Sequence, residues 1–306
     1  MTDSFDVVTG GAGFIGSHLA QLLLSRGRRV RVVDNFSTGR RAILPEGAEL
    51  VEGDINDVAV DAFRGASIVY HLAALPSVPR SVKLPLESHR ATARGTLAAL
   101  DAAQRGGVKR LVFASSSSVY GDTPTLPKHE RMPPQPQSPY AAAKLAGELY
   151  ASSWSGRGGL ETVSCRFFNV YGPRQDPESP YAAVIPKFLR SLREGKPMPV
   201  YGDGGQTRDF TFVLDVVEGL TRAASAAGVS GRVYNLAGGH PVSVLEMGKT
   251  LARLSGRPAA FEHLPPRPGD IRDSFADGEA ARRDLGFAAA VPLEEGLRRT
   301  LGWFAS

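Results

Sequence analysis

Near the N-terminus the chain reads Val7-Val8-Thr9-Gly10-Gly11-Ala12-Gly13-Phe14-Ile15-Gly16. An apolar strand, a glycine turn and a helix start follow one another without a gap. Gly10 permits the tight turn, Gly13 lets backbone approach a pyrophosphate, and Gly16 lets the helix lie close on the strand. Phe14 and Ile15 open that helix, whose first N–H groups have no partner within it and attract anions. The next apolar run, Arg29-Val30-Arg31-Val32-Val33, ends at Asp34. A carboxylate at that strand end accepts the two hydroxyls of a ribose and repels a 2′-phosphate. The expected ligand is therefore a dinucleotide, and NAD rather than NADP.

Short apolar runs recur down the chain with helix-like stretches between them. The runs are Val7-Val8, Val30–Val33, Gly47–Gly53, Ser67–His71, Arg110–Ser115, Thr162–Phe168 and Val233–Leu236. The helical patterns cover 14–25, 57–64, 87–105 and 140–155. This βα alternation predicts an α/β fold of Rossmann type: a mostly parallel sheet with helices on both faces. Ligand groups belong at the carboxyl ends of such strands. Asp54 and Ile55, at the end of the Gly47–Gly53 run, are expected beside an adenine; the alternative for Asp54 is a cap on the following turn. Beyond residue 170 the chain turns rich in proline and glycine. The spacing predicts an NAD-binding domain over 1–170, rejoined by about 211–237. A smaller C-terminal substrate lobe is built from about 171–210 and 238–306.

The second informative stretch is Tyr140-Ala-Ala-Ala-Lys144. Residues at i and i+4 share one helix face. Pro139 suits the first turn of that helix and Ser138 its cap. The strand Leu111–Ser116 ends in hydroxyls, and Ser116 facing Tyr140 and Lys144 can enclose a substrate alcohol. Tyr140 is then the acid/base, its phenolate favoured by Lys144 and the positive nicotinamide together; Lys144 also holds the nicotinamide ribose, and Ser116 donates to the same substrate oxygen. Bringing a tyrosine to work near neutral pH requires a downward shift of ~3 units, or ~4 kcal/mol of differential stabilisation. Ser115, Ser117 and Ser118 are candidates for substrate contact or for capping the strand end.

With these residues in hand, the glycine spacing at i, i+3 and i+6 resembles the extended short-chain dehydrogenase/reductase superfamily. Six segments carry a sharper likeness: His71–Ser81, Ser115–Asp122, Ser138–Lys144, Arg166–Pro177, Tyr181–Lys187 and Tyr201–Phe210. Together they resemble the UDP-galactose 4-epimerase family, and most of all its bacterial UDP-N-acetylglucosamine branch. The resemblance implies a cofactor set of Gly10, Gly13, Phe14, Ile15, Gly16, Asp34, Asn35, Asp54, Ile55, Leu72, Ala73, Ala74, Thr92, Tyr140 and Lys144. It implies substrate contacts from Ser77, Ser116, Asn169, Tyr181, Ala182, Ala183, Val184, Tyr201, Arg208, Arg267, Asp270 and Ser274. In that reading Asn169 touches the sugar-nucleotide phosphate, Arg208 and Arg267 clamp the diphosphate, and Asp270 meets the uridine ribose. Ser274 stands where residue size controls entry of N-acetylated hexoses. One departure concerns the cofactor. The family usually has asparagine at the position of Thr92, and threonine lacks the second functional end of an amide.

The implied activity is 4-epimerisation of UDP-hexoses, on UDP-GlcNAc/UDP-GalNAc and on UDP-Glc/UDP-Gal, with UDP-glucuronate as the alternative substrate. Dehydratases and decarboxylases that resemble this chain place a carboxylate directly after the catalytic hydroxyl. Here Ser117-Ser118 stand there, and serine does not replace a carboxylate base without activation. A net charge of +5 comes from dispersed arginines with no basic cluster interleaved with aromatics, which argues against a nucleic-acid partner. The single cysteine, Cys165, argues against a disulfide framework and a cysteine-rich metal site. No apolar run approaches membrane-spanning length and no leader precedes the first strand, so cytoplasmic residence is expected. Leu97, Leu100, Leu145 and Leu149 lie on helices that related enzymes pair between subunits, so a homodimer is expected.

Overall fold

The computed structural model describes residues 4–57, 60–266 and 271–305. Six strands come first: β1 (Phe5–Thr9), β2 (Arg29–Asp34), β3 (Glu49–Glu52), β4 (Ala66–His71), β5 (Arg110–Ser116) and β6 (Glu161–Phe167). After three short strands, β7 (Val170–Tyr171), β8 (Met198–Tyr201) and β9 (Thr207–Asp209), come β10 (Thr211–Phe212) and β11 (Arg232–Leu236). The central sheet has the order β11-β6-β5-β4-β1-β2-β3 and every pairing in it is parallel. Strand order reverses between β1 and β4. The crevice of a doubly wound sheet opens at that point.

The first helix, α1 (Phe14–Ser25), follows β1 directly. Three pieces, α2 (Val78–Lys83), α3 (Pro85–His89) and α4 (Gly95–Arg105), follow β4, with a π-helical turn at Arg90–Arg94 joining the last two. Next come α5 (Pro139–Trp154), α6 (Val184–Glu194) and α7 (Val213–Ser225). One sheet face packs a core that includes Val8, Leu19, Val32, Val112, Val163, Val216 and Leu220. The other packs Val7, Val69, Leu100, Leu111 and Phe113. Strands buried on both faces explain their continuous Val/Ile/Leu runs.

The expected helix over 57–64 is not formed: among its described residues there is a single 3-10 turn at Val60–Ala62. The Asp54 side chain turns the segment between β3 and β4 by accepting from Asn56 and Arg90. The pattern over 87–105 is one helical rod that starts at Pro85 and is interrupted by the π turn. Residues 215–226 rejoin the nucleotide half as helix α7, packed beside α1, and only β11 enters the sheet.

Outside the sheet, β7 pairs with β10 and β8 with β13 (Phe261–Leu264). Strand β9 lies between β12 (Pro241–Ser243) and β14 (Asp273–Ser274). Helices α8 (Val244–Leu254), α9 (Glu279–Leu285) and α10 (Leu293–Ala305) complete this part. No helix among the described residues is long and apolar enough to cross a membrane.

Candidate active site

The glycine turn has the geometry its sequence demands. Gly10 adopts φ +69°, and a Cβ there would stand 2.8 Å from the Ala73 nitrogen. Gly13 is the extended N-cap of α1 and no side chain caps the helix, so its first N–H groups face outward. A Cβ on Gly16 would press into the Gly10 carbonyl, so α1 keeps its close approach to β1 only with glycine there. Sequence reading missed two further glycines. Gly11 abuts Val32 at 2.7 Å and Gly39 abuts Ala12 at 3.0 Å, each measured from the Cβ it lacks.

Asp34 is buried at the end of β2. One carboxylate oxygen accepts from Ala12 N at 2.9 Å and the other from Phe36 N at 2.8 Å. Each oxygen retains a lone pair, which is the acceptor capacity two ribose hydroxyls require. Ile55 is buried, while Leu72, Ala73 and Ala74 keep partial exposure at the mouth of β4. The uncapped, glycine-lined helix end, the fixed carboxylate and these strand-end residues fit a dinucleotide with free ribose hydroxyls.

Three expected cofactor residues behave differently. Asp54 acts as the turn cap: Oδ1 accepts from Asn56 N (2.9 Å) and Nδ2 (2.8 Å), and Oδ2 accepts from Arg90 (2.9 Å). Asn35 is exposed and its amide oxygen accepts from Ser37 N at 3.0 Å. Thr92 has no accessible surface, and its hydroxyl has no partner among the described residues. The shorter side chain lies inside the π turn and does not reach the crevice.

Helix α5 begins as its sequence implies, with the Ser138 hydroxyl accepting from Ala141 N at 3.2 Å and Pro139 in the first turn. It lies tight on β5, where Gly147 leaves room for the Phe113 ring that a Cβ would meet at 2.5 Å. This packing aims the Tyr140/Lys144 face at the end of β5. Ser116 faces the Tyr140 hydroxyl and favours its ionised form, and Lys144 Nζ lies 5.9 Å from the centre of the Tyr140 ring. Lys144 is buried and donates to the Ala114 carbonyl at 2.6 Å.

Among the chain's own groups, burial dominates the electrostatics. Burial pushes Tyr140 up to about 12, only partly offset by Ser116. Burial pushes Lys144 down to about 7, against the opposing pull of Glu148. The ammonium of Lys144 is turned to a carbonyl rather than to the phenol, so among the groups present desolvation outweighs it. Tyr140 rests as the phenol. His71, in contact with Thr9 (2.7 Å) and Thr96 (3.3 Å), is held neutral, its value pushed down to about 3 by burial and by Lys144.

The serines divide. Ser116 Oγ also accepts from Ser118 N at 3.2 Å, so this residue itself caps the strand end. Ser115 turns away and donates to buried Glu148 at 2.5 Å. The Ser118 hydroxyl is buried without a partner among the described residues.

On the substrate side, Ser77 and Asn169 both occupy left-handed backbone, φ +115° and +27°. Asparagine tolerates that region; a serine at +115° is a genuine outlier, and such outliers persist where surrounding structure holds them. Ser77 caps α2 by accepting from Arg80 N at 3.2 Å. Arg80 in turn lies 5.9 Å from the centre of the Tyr181 ring, which brings α2 to the turn before α6. Ala182, Ala183 and Val184 continue from Tyr181 into α6, and Tyr201 ends β8. Arg208 and Ser274 are register partners on β9 and β14. Arg208 Nη1 donates to the Thr207 carbonyl (2.8 Å) and the Arg272 carbonyl (3.2 Å). Arg267 and Asp270 lie outside the described residues.

The sequence matches the NAD dependent epimerase/dehydratase family over residues 7–237. A UDP-glucose 4-epimerase of Mycolicibacterium smegmatis is 39% identical over 307 residues, spanning 97% of this chain and 97% of that one. A dTDP-glucose 4,6-dehydratase of Streptomyces niveus is 36% identical over 316 residues, spanning 97% of this chain and 92% of that one. A solved UDP-N-acetylglucosamine 4-epimerase from Methanobrevibacter ruminantium, in complex with UDP-N-acetylmuramic acid, superposes with a TM-score of 0.94 at 36% identity. That match covers 100% of this chain and 99% of the other. A glycine cradle on a parallel sheet, with tyrosine and lysine on the helix facing the end of β5, thus agrees with whole-chain similarity: the protein belongs to the NAD-dependent epimerase/dehydratase family, and NAD is its cofactor.

Proposed function

We propose that the chain is a 4-epimerase of UDP-hexoses, acting on UDP-GlcNAc/UDP-GalNAc and on UDP-Glc/UDP-Gal. The observation that carries this reading is the placing of Tyr140 and buried Lys144 of α5 against the end of β5, which carries Ser116 and continues as Ser117-Ser118 with no carboxylate. Bound at the glycine turn, NAD supplies a hydride acceptor and donor and a positively charged ring. The chain's residues do the rest. Tyr140 removes the proton of the C4 hydroxyl and later returns it. Ser116 donates to the same oxygen, and Lys144 holds the ribose and shifts the phenol toward phenolate. Arg208, with Arg267, grips the diphosphate through charge-assisted bonds while the 4-keto sugar turns over between the two hydride transfers. Residues of about 171–210 and 238–306 serve as the substrate lobe.

Mass analysis of products from UDP-Glc, UDP-GlcNAc, UDP-glucuronate and dTDP-glucose tests this reading against its relatives' chemistries. The expected products have unchanged mass and inverted C4. Loss of water or of carbon dioxide overturns it. Turnover confined to UDP-glucuronate shifts the assignment to the uronate pair.

We propose further that two copies pair through α2, α3 and α5. Leu100 is fully buried against the sheet and Leu145 packs inward, so these two expected contacts drop out. Leu149 is 63% exposed, and so are Val82 (64%) and Leu86 (84%) on the two helices that pack on α5, which leaves apolar side chains uncovered on all three. Sedimentation at micromolar concentration is expected to give about twice the 32.6 kDa of one chain. Leu86→Glu with Leu149→Glu is expected to return the monomer. A wild-type monomer contradicts the pairing.

A further inference from the structure

Behind the candidate catalytic face lies a charged cluster that the chemistry above does not use. Glu148 stands one turn beyond Lys144 on α5, and Arg166 lies on β6 opposite Ser115 of β5. The Glu148 and Arg166 side chains are each only 4% exposed. Arg166 donates twice to Glu148, Nε to Oε1 at 2.8 Å and Nη2 to Oε2 at 2.7 Å. Ser115 donates to the same Oε1 at 2.5 Å. The guanidinium also sits 4.6 Å over the ring of Tyr120, whose hydroxyl donates to Asn235 at 2.7 Å.

The cluster therefore bonds to the residue before Ser116, to the helix that carries Tyr140 and Lys144, and to the turn that follows Ser116. None of its members touches the Tyr140 hydroxyl. We infer that Ser115, Glu148 and Arg166 form the positioning element of the site, setting Ser116 and Lys144 against Tyr140 and supplying the anion that offsets the buried charge of Lys144. The charged and titratable groups around Lys144 are Tyr140 and Glu148 on its own helix and His71 on β4; Arg166 and Tyr120 stand behind Glu148. Of these, Glu148 is the anion acting on it.

The inference rests on the epimerase reading for its turnover measurement alone, so a second readout is independent of turnover. Lysine labelled with 13C at Cε is titrated by NMR, and Lys144 is assigned by its loss in Lys144→Met. In Glu148→Gln the carboxamide keeps the shape and one acceptor but removes the charge. Lys144 is expected to titrate about one unit lower. The alkaline limb of kcat is expected to move down with it, and kcat to fall about tenfold at unchanged KM. A folded Glu148→Gln protein with the wild-type titration and pH profile overturns the inference.

Breaking one partner of a buried pair destabilises strongly, whereas replacing both by apolar groups is often tolerated. Glu148→Gln with Arg166→Met therefore decides the matter if the single variant does not fold. It is expected to keep its Tm while Lys144 still titrates below wild type, by less than in the single variant. A double variant with wild-type kcat and titration also overturns the inference. Absence of turnover in the wild type is failure of the epimerase reading; the Lys144 titration still reads the positioning element.

Discussion

Replacing Tyr140 with phenylalanine is expected to lower kcat by about 10²–10⁴-fold, the usual contribution of a positioned acid/base. The substitution removes one oxygen and little packing. The ring stays on α5, near the Lys144 ammonium, and Ser116 keeps its bond from Ser118 N. The protein is therefore expected to retain its Tm and its NAD content, both measurable without substrate. The resting ionisation sharpens the prediction. Burial holds Tyr140 up near 12, so at neutral pH the phenol predominates, and whatever makes it a base must act within the loaded site. Catalysis by the phenolate beside a charged Lys144 requires the loaded site to bring Tyr140, now near 12, below Lys144, now near 7; the wild-type rate should then rise with pH as Tyr140 gives up its proton and fall at higher pH where Lys144 loses its charge. The phenylalanine variant should lose the rising limb. Turnover close to wild type in a folded Tyr140→Phe protein ends the assignment of Tyr140 as acid/base.

How much of this was legible beforehand depends on how local the cause is. The parallel sheet could be read because its strands are buried on both faces and so appear as unbroken apolar runs such as Leu111-Val112-Phe113. The glycine turn was legible because its steric demands fall within one segment. The helix over 57–64 was misread because local propensity could not show that the Asp54 carboxylate would bond Asn56 and Arg90 and turn the chain. The small strands β12 and β14, three and two residues long, are shorter than any periodicity can register. The Glu148–Arg166 pair was invisible for another reason. Each residue looks like an ordinary surface charge until the sheet register places Arg166 beside Ser115, one strand away from the helix that carries Glu148. The same long-range packing buries Tyr140 and Lys144, which no i, i+4 spacing reveals.

The other large effect is expected at Ser274. On the proposal that this residue lines the sugar pocket, Ser274→Tyr should lower kcat/KM for UDP-GlcNAc by about 100-fold, near the upper range of purely steric discrimination. UDP-Glc, which lacks the acetamido group, should keep its turnover within about tenfold, because the added ring takes space the smaller sugar does not use. The backbone around residue 274 gives little room to retreat. Thr207 Oγ1 donates to Asp273 at 2.5 Å, and Ser274 is held in register with Arg208. Just beyond, Ala276 N donates to buried Asp209 at 3.2 Å. Lys128 is bonded to both sides of Ala276, from its N to the Phe275 carbonyl (2.9 Å) and to its carbonyl from Asp277 N (2.8 Å). A strand tied on both sides forces a larger side chain to project rather than to shift the chain. Ser274→Ala separates bulk from hydrogen bonding: it should leave both substrate pairs close to wild type, since a hydroxyl in a wet pocket is readily replaced by water. Undiminished UDP-GlcNAc turnover in the tyrosine variant would mean that the acetamido group lies elsewhere, and that pocket size is set by another residue of the substrate lobe.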